Sequence, residues 1–351
     1  MLNLPEPFLV ALIGAAGGLL LGLAARLGRF CTMGAIEDYL YSNSSVRLRM
    51  WGMAIGVAVV GSFLMLELGY LTLSQTYYFS IAWMPVASVL GGLVFGYGMA
   101  LAGNCGFGSM ARLGGGDLRA FVIVLVMGVS AYAVLSGPFA YIRDAVFPQV
   151  PPTGEIPQGI AHLVAHFTGL NANWIGIVIG ALIILAMLAG SEFRQDASSV
   201  IWASVVGLAV VSGWVGTQWV ANTGFEDLPV VSHSFSAPLG EAILFTMTAS
   251  GRSLSFAVGS VGGVWLGAFI GSLIKGHFRW EACEDPRELR RQIIGAALMG
   301  AGAVVALGCT VGQGITAFSL LAYSAPVTFV AIFAGAAFGL RQLISGFQSD
   351  I

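Results

Sequence analysis

Three of the four cysteines in this 351-residue chain stand in one glycine frame. Aligned on Cys31, Cys105 and Cys309, glycine falls fourteen residues before each (Gly17, Gly91, Gly295), nine before each (Gly22, Gly96, Gly300) and three after each (Gly34, Gly108, Gly312). The stretches GGLVFGYGMALAGNCGFG and GAALMGAGAVVALGCTVG read as one element used twice. Each copy is an apolar segment notched by glycine that ends in a cysteine-bearing turn. A thiol is a weak donor and a polarisable acceptor, so thiols lining a path favour a sulfur-bearing anion over a hard one such as phosphate. Zinc would want four N or S ligands, usually with CxxC spacing or nearby histidine, and neither surrounds these turns. Three equivalent cysteines also argue against a permanent disulfide.

The setting of these turns follows from composition. Hydrophobic residues make up 57% of the chain and charged ones 9%, with a mean hydropathy of +0.87, against roughly a quarter charged in soluble domains. The chain reads as an all-α polytopic membrane protein, and no basic block points to nucleic acid. The first apolar segment lacks a basic n-region and carries the first glycine frame, so it reads as a span, not a cleaved signal.

A crossing helix needs roughly 20 apolar residues, and about nine segments qualify: 8–27, 51–71, 83–103, 120–141, 174–190, 201–220, 254–274, 293–308 and 326–343. Those running into the cysteine turns are short or interrupted, and 238–250 is half a span. These are read as broken or re-entrant pieces meeting at the centre. Arg and Lys cluster in 38–49, 112–119, 191–199 and 275–291, whereas 72–82, 144–173 and 222–237 have none. The positive-inside rule puts the first group in the cytoplasm and the N-terminus outside. The chain also reads as doubled, as one transmembrane domain over 1–351 with a first half at 1–143, a periplasmic loop at 144–173 and a second half at 174–351. Within that loop, 160–167 is a candidate interfacial helix. Each half would hold two half-spanning elements, the fourth being the cysteine-free turn 246–253 with Arg252.

Irregular backbone at membrane depth is tolerated only where protein buries it or a polar cavity receives it. Convergence of such turns therefore implies an internal cavity, with helix ends aimed at an anion. Glycine at Cys+3 is expected to give the turn its left-handed or tight conformation, and the glycines at −14 and −9 to let helices approach closely. Asn104, Thr310 and Gln313 are candidate neutral donors to a ligand.

Other polar residues have blander readings. Cys283, in a charged loop outside the frame, is read as incidental. His162 and His166 are spaced to share a metal but read as solvated, and no metal or cofactor is assigned. Arg26, Arg29 and Arg252 either snorkel or attract an anion, and Glu67 and Glu241 either pair with arginine or mark a proton path. Trp51, Trp83, Trp174 and Trp280 are expected in an interfacial belt.

The stretches GRFCTMGAIEDYL, GYGMALAGNCGFGSMARLGGG and LMGAGAVVALGCTVGQGITAFSLLA resemble the cysteine motifs of the YeeE/YedE family of bacterial inner-membrane proteins, over essentially the whole chain. The resemblance implies a pseudo-symmetric fold whose short helices converge on central cysteine loops. It further implies uptake of thiosulfate or a close sulfur anion, passed between Cys31, Cys105 and Cys309 by S–H hydrogen bonds without a large rocking motion. A small TusA-like sulfurtransferase is the implied partner, with the basic loop 275–291 as its docking surface. Two other readings stand beside it, a membrane-embedded thiol enzyme handling sulfane sulfur and a permease for a selenium species. No P-loop is present, so ATP hydrolysis by this chain is not expected.

Overall fold

The computed structural model describes residues 5–349 except 153, 155, 227, 283 and 284, so Cys283 lies outside the described residues. The first cysteine unit comprises α1 (Glu6–Leu27), α2 (Thr32–Tyr41) and α3 (Val46–Glu67). The second comprises α4 (Pro85–Ala102), α5 (Gly106–Gly114) and α6 (Leu118–Leu135), followed by the short helices α7 (Ala140–Val146) and α8 (Ile160–Thr168). Then come α9 (Ala172–Leu188), α10 (Ala197–Thr223), α11 (Ala237–Thr248), α12 (Phe256–Ile274) and α13 (Pro286–Val305). The chain continues through a π-helical turn (Gly312–Ala317) into α14 (Ser324–Ser349). Among the described residues there are no strands, only isolated bridges such as Thr76 with Val230.

Among the described residues, seven helical stretches are long and apolar enough to cross a membrane, two of them running through the cysteine breaks as Glu6–Tyr41 and Pro85–Gly114. The two remaining expected spans are helical but fall short for physical reasons. α9 has 17 residues, which at about 1.5 Å per residue is shorter than the hydrocarbon core. α13 spends its first turns on the charged sequence PRELRR.

The packing exchanges partners between the two ends of the chain. α1 lies along α12 as α10 lies along α3, and α4 lies along α14 as α13 lies along α6. α1 also meets α10, and α4 meets α13. The glycine frame makes these seams. A Cβ on Gly22 would collide with the backbone of α12 at Val264, one on Gly96 with α14 at Ile332, and one on Gly300 with α6 at Met127. Helices at these points touch main chain to main chain, the close approach that small residues permit in membranes. The half-span expected at 238–250 is present as α11, and the helix expected at 160–167 as α8.

Candidate functional site

Each cysteine heads the second helix of its unit. Cys31 is the N-cap of α2 and Cys105 of α5, both in extended backbone. Cys31 Sγ accepts the Gly34 N–H at 3.5 Å, Cys105 Sγ the Gly108 N–H at 3.4 Å and Cys309 Sγ the Gly312 N–H at 3.5 Å. The residue at Cys+3 is thus the amide that the thiol caps. N-caps are usually Ser, Thr, Asp or Asn, whose oxygen satisfies one of the orphan amides of the first turn. Sulfur is a weaker acceptor. A thiol cap therefore holds the turn while leaving much of the positive end of the helix available to an anion.

The three glycines at Cys+3 do not supply the left-handed backbone expected of them. That conformation sits at Cys−2 in all three units: Arg29 (φ 55°), Gly103 (φ 75°) and Leu307 (φ 57°). Two of the three are not glycine, a strain on the order of 1–3 kcal/mol each that surrounding packing must hold. What requires glycine at Cys+3 is space. A Cβ would strike the Arg47 guanidinium at Gly34, the Asn104 amide at Gly108 and the Ser234 hydroxyl at Gly312.

The structure brings the three thiols into one contiguous series. Cys31 donates its S–H to Asn104 Oδ1 at 3.5 Å, and the same oxygen accepts the Cys105 N–H at 3.1 Å. Thr32 Oγ1 lies 3.9 Å from Cys105 Sγ. On its other side, Cys105 is approached by the buried Thr310 hydroxyl, which makes no well-formed hydrogen bond. Thr310 adjoins Cys309, whose sulfur accepts the Phe235 N–H at 3.2 Å and lies 3.8 Å from Ser234 Oγ. Cys105 and Cys309 are buried, while Cys31 is partly exposed.

Beyond Cys309 a cavity of about 510 Å³ opens. It is lined by Tyr78, Trp214, Ser232, Ser234, Ser236 and Glu241 among others, and its floor is Leu307 and Gly308, next to the third thiol. Tyr78 donates to Gly312 O at 2.8 Å, and Glu241 is held by Ser255 at 2.5 Å. At the opposite end stand the cations. Arg26 donates to Ser272 at 2.6 Å, Lys275 caps α1 through Leu27 O at 2.9 Å, and Arg47 pairs with Asp38 at 3.2 Å. Desolvation, and then repulsion from Arg29 and Arg26, hold the Lys275 ammonium below the usual lysine range.

Several expected residues are placed differently. The fourth approach to the centre is not 246–253, where Arg252 is exposed at the α11–α12 turn. It is the segment ending at Ser234 and Phe235, which precedes its half-length helix as the cysteines precede theirs. His233 anchors that segment: its Nδ1 is 2.7 Å from Ser260 Oγ, its ring is stacked on Phe235, and its carbonyl accepts from Thr316. Gln313 spends its amide on Ala306 O (2.9 Å) and Leu307 O (3.2 Å), and its oxygen on Ser324, so it closes the end of α13 and has no donor to spare. Trp51 is fully buried and stacked on Phe30, 4.7 Å between ring centroids, beneath the Cys31 turn instead of at an interface. Trp174 and Trp280 are exposed as a belt requires. His166 is exposed, whereas His162 packs near Phe63 and Phe79. No cluster of three metal-binding side chains exists among the described residues. Glu67 accepts from Asn171 and Asn173.

A family model for sulphur transport matches residues 27–338. The thiosulfate transporter TsuA of Spirochaeta thermophila is 26% identical over 323 residues, 89% of this chain and 92% of its own. The thiosulfate transporter TsuA of Escherichia coli K12 is 23% identical over 355 residues, 93% of each.

Proposed function

Because the chain belongs to the sulphur transport family, we propose that it carries thiosulfate across the bacterial inner membrane, from the cavity beside Cys309 past Cys105 to Cys31. The observation that supports this most is the unbroken order of three thiol-capped helix ends between a cavity at one end and a cation cluster at the other. Thiosulfate presents a soft terminal sulfur and three oxygens. S–H groups, Thr32, Thr310 and Ser234 hydroxyls and the first-turn amides would exchange for one another around it. Each site is weak, which conduction requires: binding must be good enough to admit the anion and poor enough to release it.

The doubled packing supports two structural halves, 1–143 and 174–351, joined by an outer loop at 144–173. The loops poor in Lys and Arg would face outward, together with the N-terminus, and the basic loop 275–291 inward, where a small TusA-like sulfurtransferase would collect the product. Irregular backbone at the centre needs no help from lipid, since each turn is capped from within the protein.

Uptake by the purified protein in liposomes tests the reading, with thiosulfate, sulfate, sulfite and selenite compared with and without a pH gradient. Thiosulfate is expected to enter with the thiols unmodified. Absence of uptake, together with a persulfide detected on one cysteine by intact mass, would replace transport with sulfur transfer.

A further inference from the structure

A second cavity lies away from the thiol series, on the outside of the helix packing. It measures about 730 Å³ and is walled by one face of α6 (Leu125, Val129, Ala133), by α7 with Phe139 and Ile142, and by Ala301 and Val305 of α13. The wall is apolar except for Ser130, already bonded to Ala297 O at 2.7 Å, and Arg143. Arg143 is a cation in an unusual position. Only 9% of its side chain is exposed, and its Nε and Nη2 both bind one oxygen of Asp144. Its Nη1 is buried without a partner. An unsatisfied charged donor is costly to bury, so the arrangement calls for an acceptor that arrives with an apolar body.

We propose that this groove binds a glycerophospholipid, one acyl chain lying between α6, α7 and α13 and the phosphate accepting from Arg143 Nη1. The geometry commits to this occupant in two ways. The groove is the size of a small-molecule pocket, ~300–1,000 Å³, and one of its walls, α6, is long and apolar enough to span a membrane. Among the described lining residues, the one buried donor left without a partner is Arg143 Nη1, which can give a phosphate diester a charge-assisted hydrogen bond. α7, with Tyr141, Ile142 and Val146 all exposed, has the character of a helix lying in the headgroup boundary.

Native mass spectrometry of the full-length protein, released from mild detergent and titrated with phosphatidylglycerol or with uncharged diacylglycerol, is the test. The wild-type chain is expected to retain one phosphatidylglycerol, and Arg143→Gln to lose about tenfold in retention, the scale of one charge-assisted hydrogen bond. Val129→Trp, at an exposed position that fills the groove, is expected to lose the lipid while leaving Arg143 intact. Equal retention by wild type and Arg143→Gln, or diacylglycerol competing as well as phosphatidylglycerol, would overturn the proposal. So would a doubled protein mass abolished by Val129→Trp, which would make the groove a contact between two copies of this chain.

Discussion

The two ends of the thiol series are built from the same unit and furnished in opposite ways. Around Cys309 the chain keeps a cavity, and Tyr78, Ser232, Ser234 and Ser236 line it together with Glu241 and, among the described residues, no lysine or arginine. Around Cys31, the partly exposed thiol of the three, the residues include Arg26, Arg29, Arg47 and Lys275, and the S–H is taken by an amide oxygen. The difference teaches how one anion can be received and released by one repeated motif. On the proposed route, partial charges from hydroxyls and helix ends at the cavity would attract without trapping. Full charges at the other end would draw the anion onward, with solvent screening there keeping them from holding it.

The largest test of this contrast is the residue common to both ends. Cys105→Ala is expected to abolish thiosulfate uptake and growth on thiosulfate as sole sulfur source, with Cys309→Ala as severe and Cys283→Ala silent. Cys105→Ser separates chemistry from folding. Serine is the better N-cap by ordinary preference, so the thermal unfolding midpoint should not fall while uptake does; unchanged uptake would show that any small capping hydroxyl suffices. Removing charge from the other end, as in Arg29→Gln, should lower uptake several-fold at low salt and less at high salt, because exposed charges act through a screened field. Salt-independent loss would mean that the arginine is structural. Ser234→Ala removes one hydroxyl from the cavity end and is expected to cost about fivefold in apparent affinity, the equivalent of one ordinary hydrogen bond of about 1 kcal/mol. The smallest effect concerns the bends. Leu307→Gly should be neutral or stabilising by up to about 1 kcal/mol, and Gly103→Ala destabilising by about 1–2 kcal/mol in denaturant unfolding, since both positions have positive φ. The reverse signs would show that the bend at Cys−2 is not what orients the thiols.

The sequence made the thiol-bearing units readable because their chemistry is local. The cap, its amide at +3 and the glycine seam at −9 all fall at fixed spacings set by helix geometry, whereas at −14 Gly17 makes room for the His233 ring and not for a helix. Hydropathy placed the helices for the same reason. What escaped was decided across the chain. Ser234 matters because it reaches Cys309, 75 residues away, and no spacing records that. The turn 246–253 follows its half-length helix, whereas the cysteine units place the turn before theirs, as the segment ending at Ser234 and Phe235 does. Arg29 and Leu307 concealed the bend because neither residue type favours it. Trp51 looked like a belt residue by position near a span end, but Phe30 of its own unit and Phe329 of α14 cover it.

The amide of Asn104 carries one more consequence. A single oxygen takes both the S–H of one cysteine and the N–H of the next, so on the proposed route a ligand reaching Cys31 would compete for that S–H with the side chain that steadies Cys105. Leaving one resting place and entering the following one would then both be felt by the same carboxamide. A stationary framework can impose sequence on its cargo in this way, through one latch the size of a carboxamide.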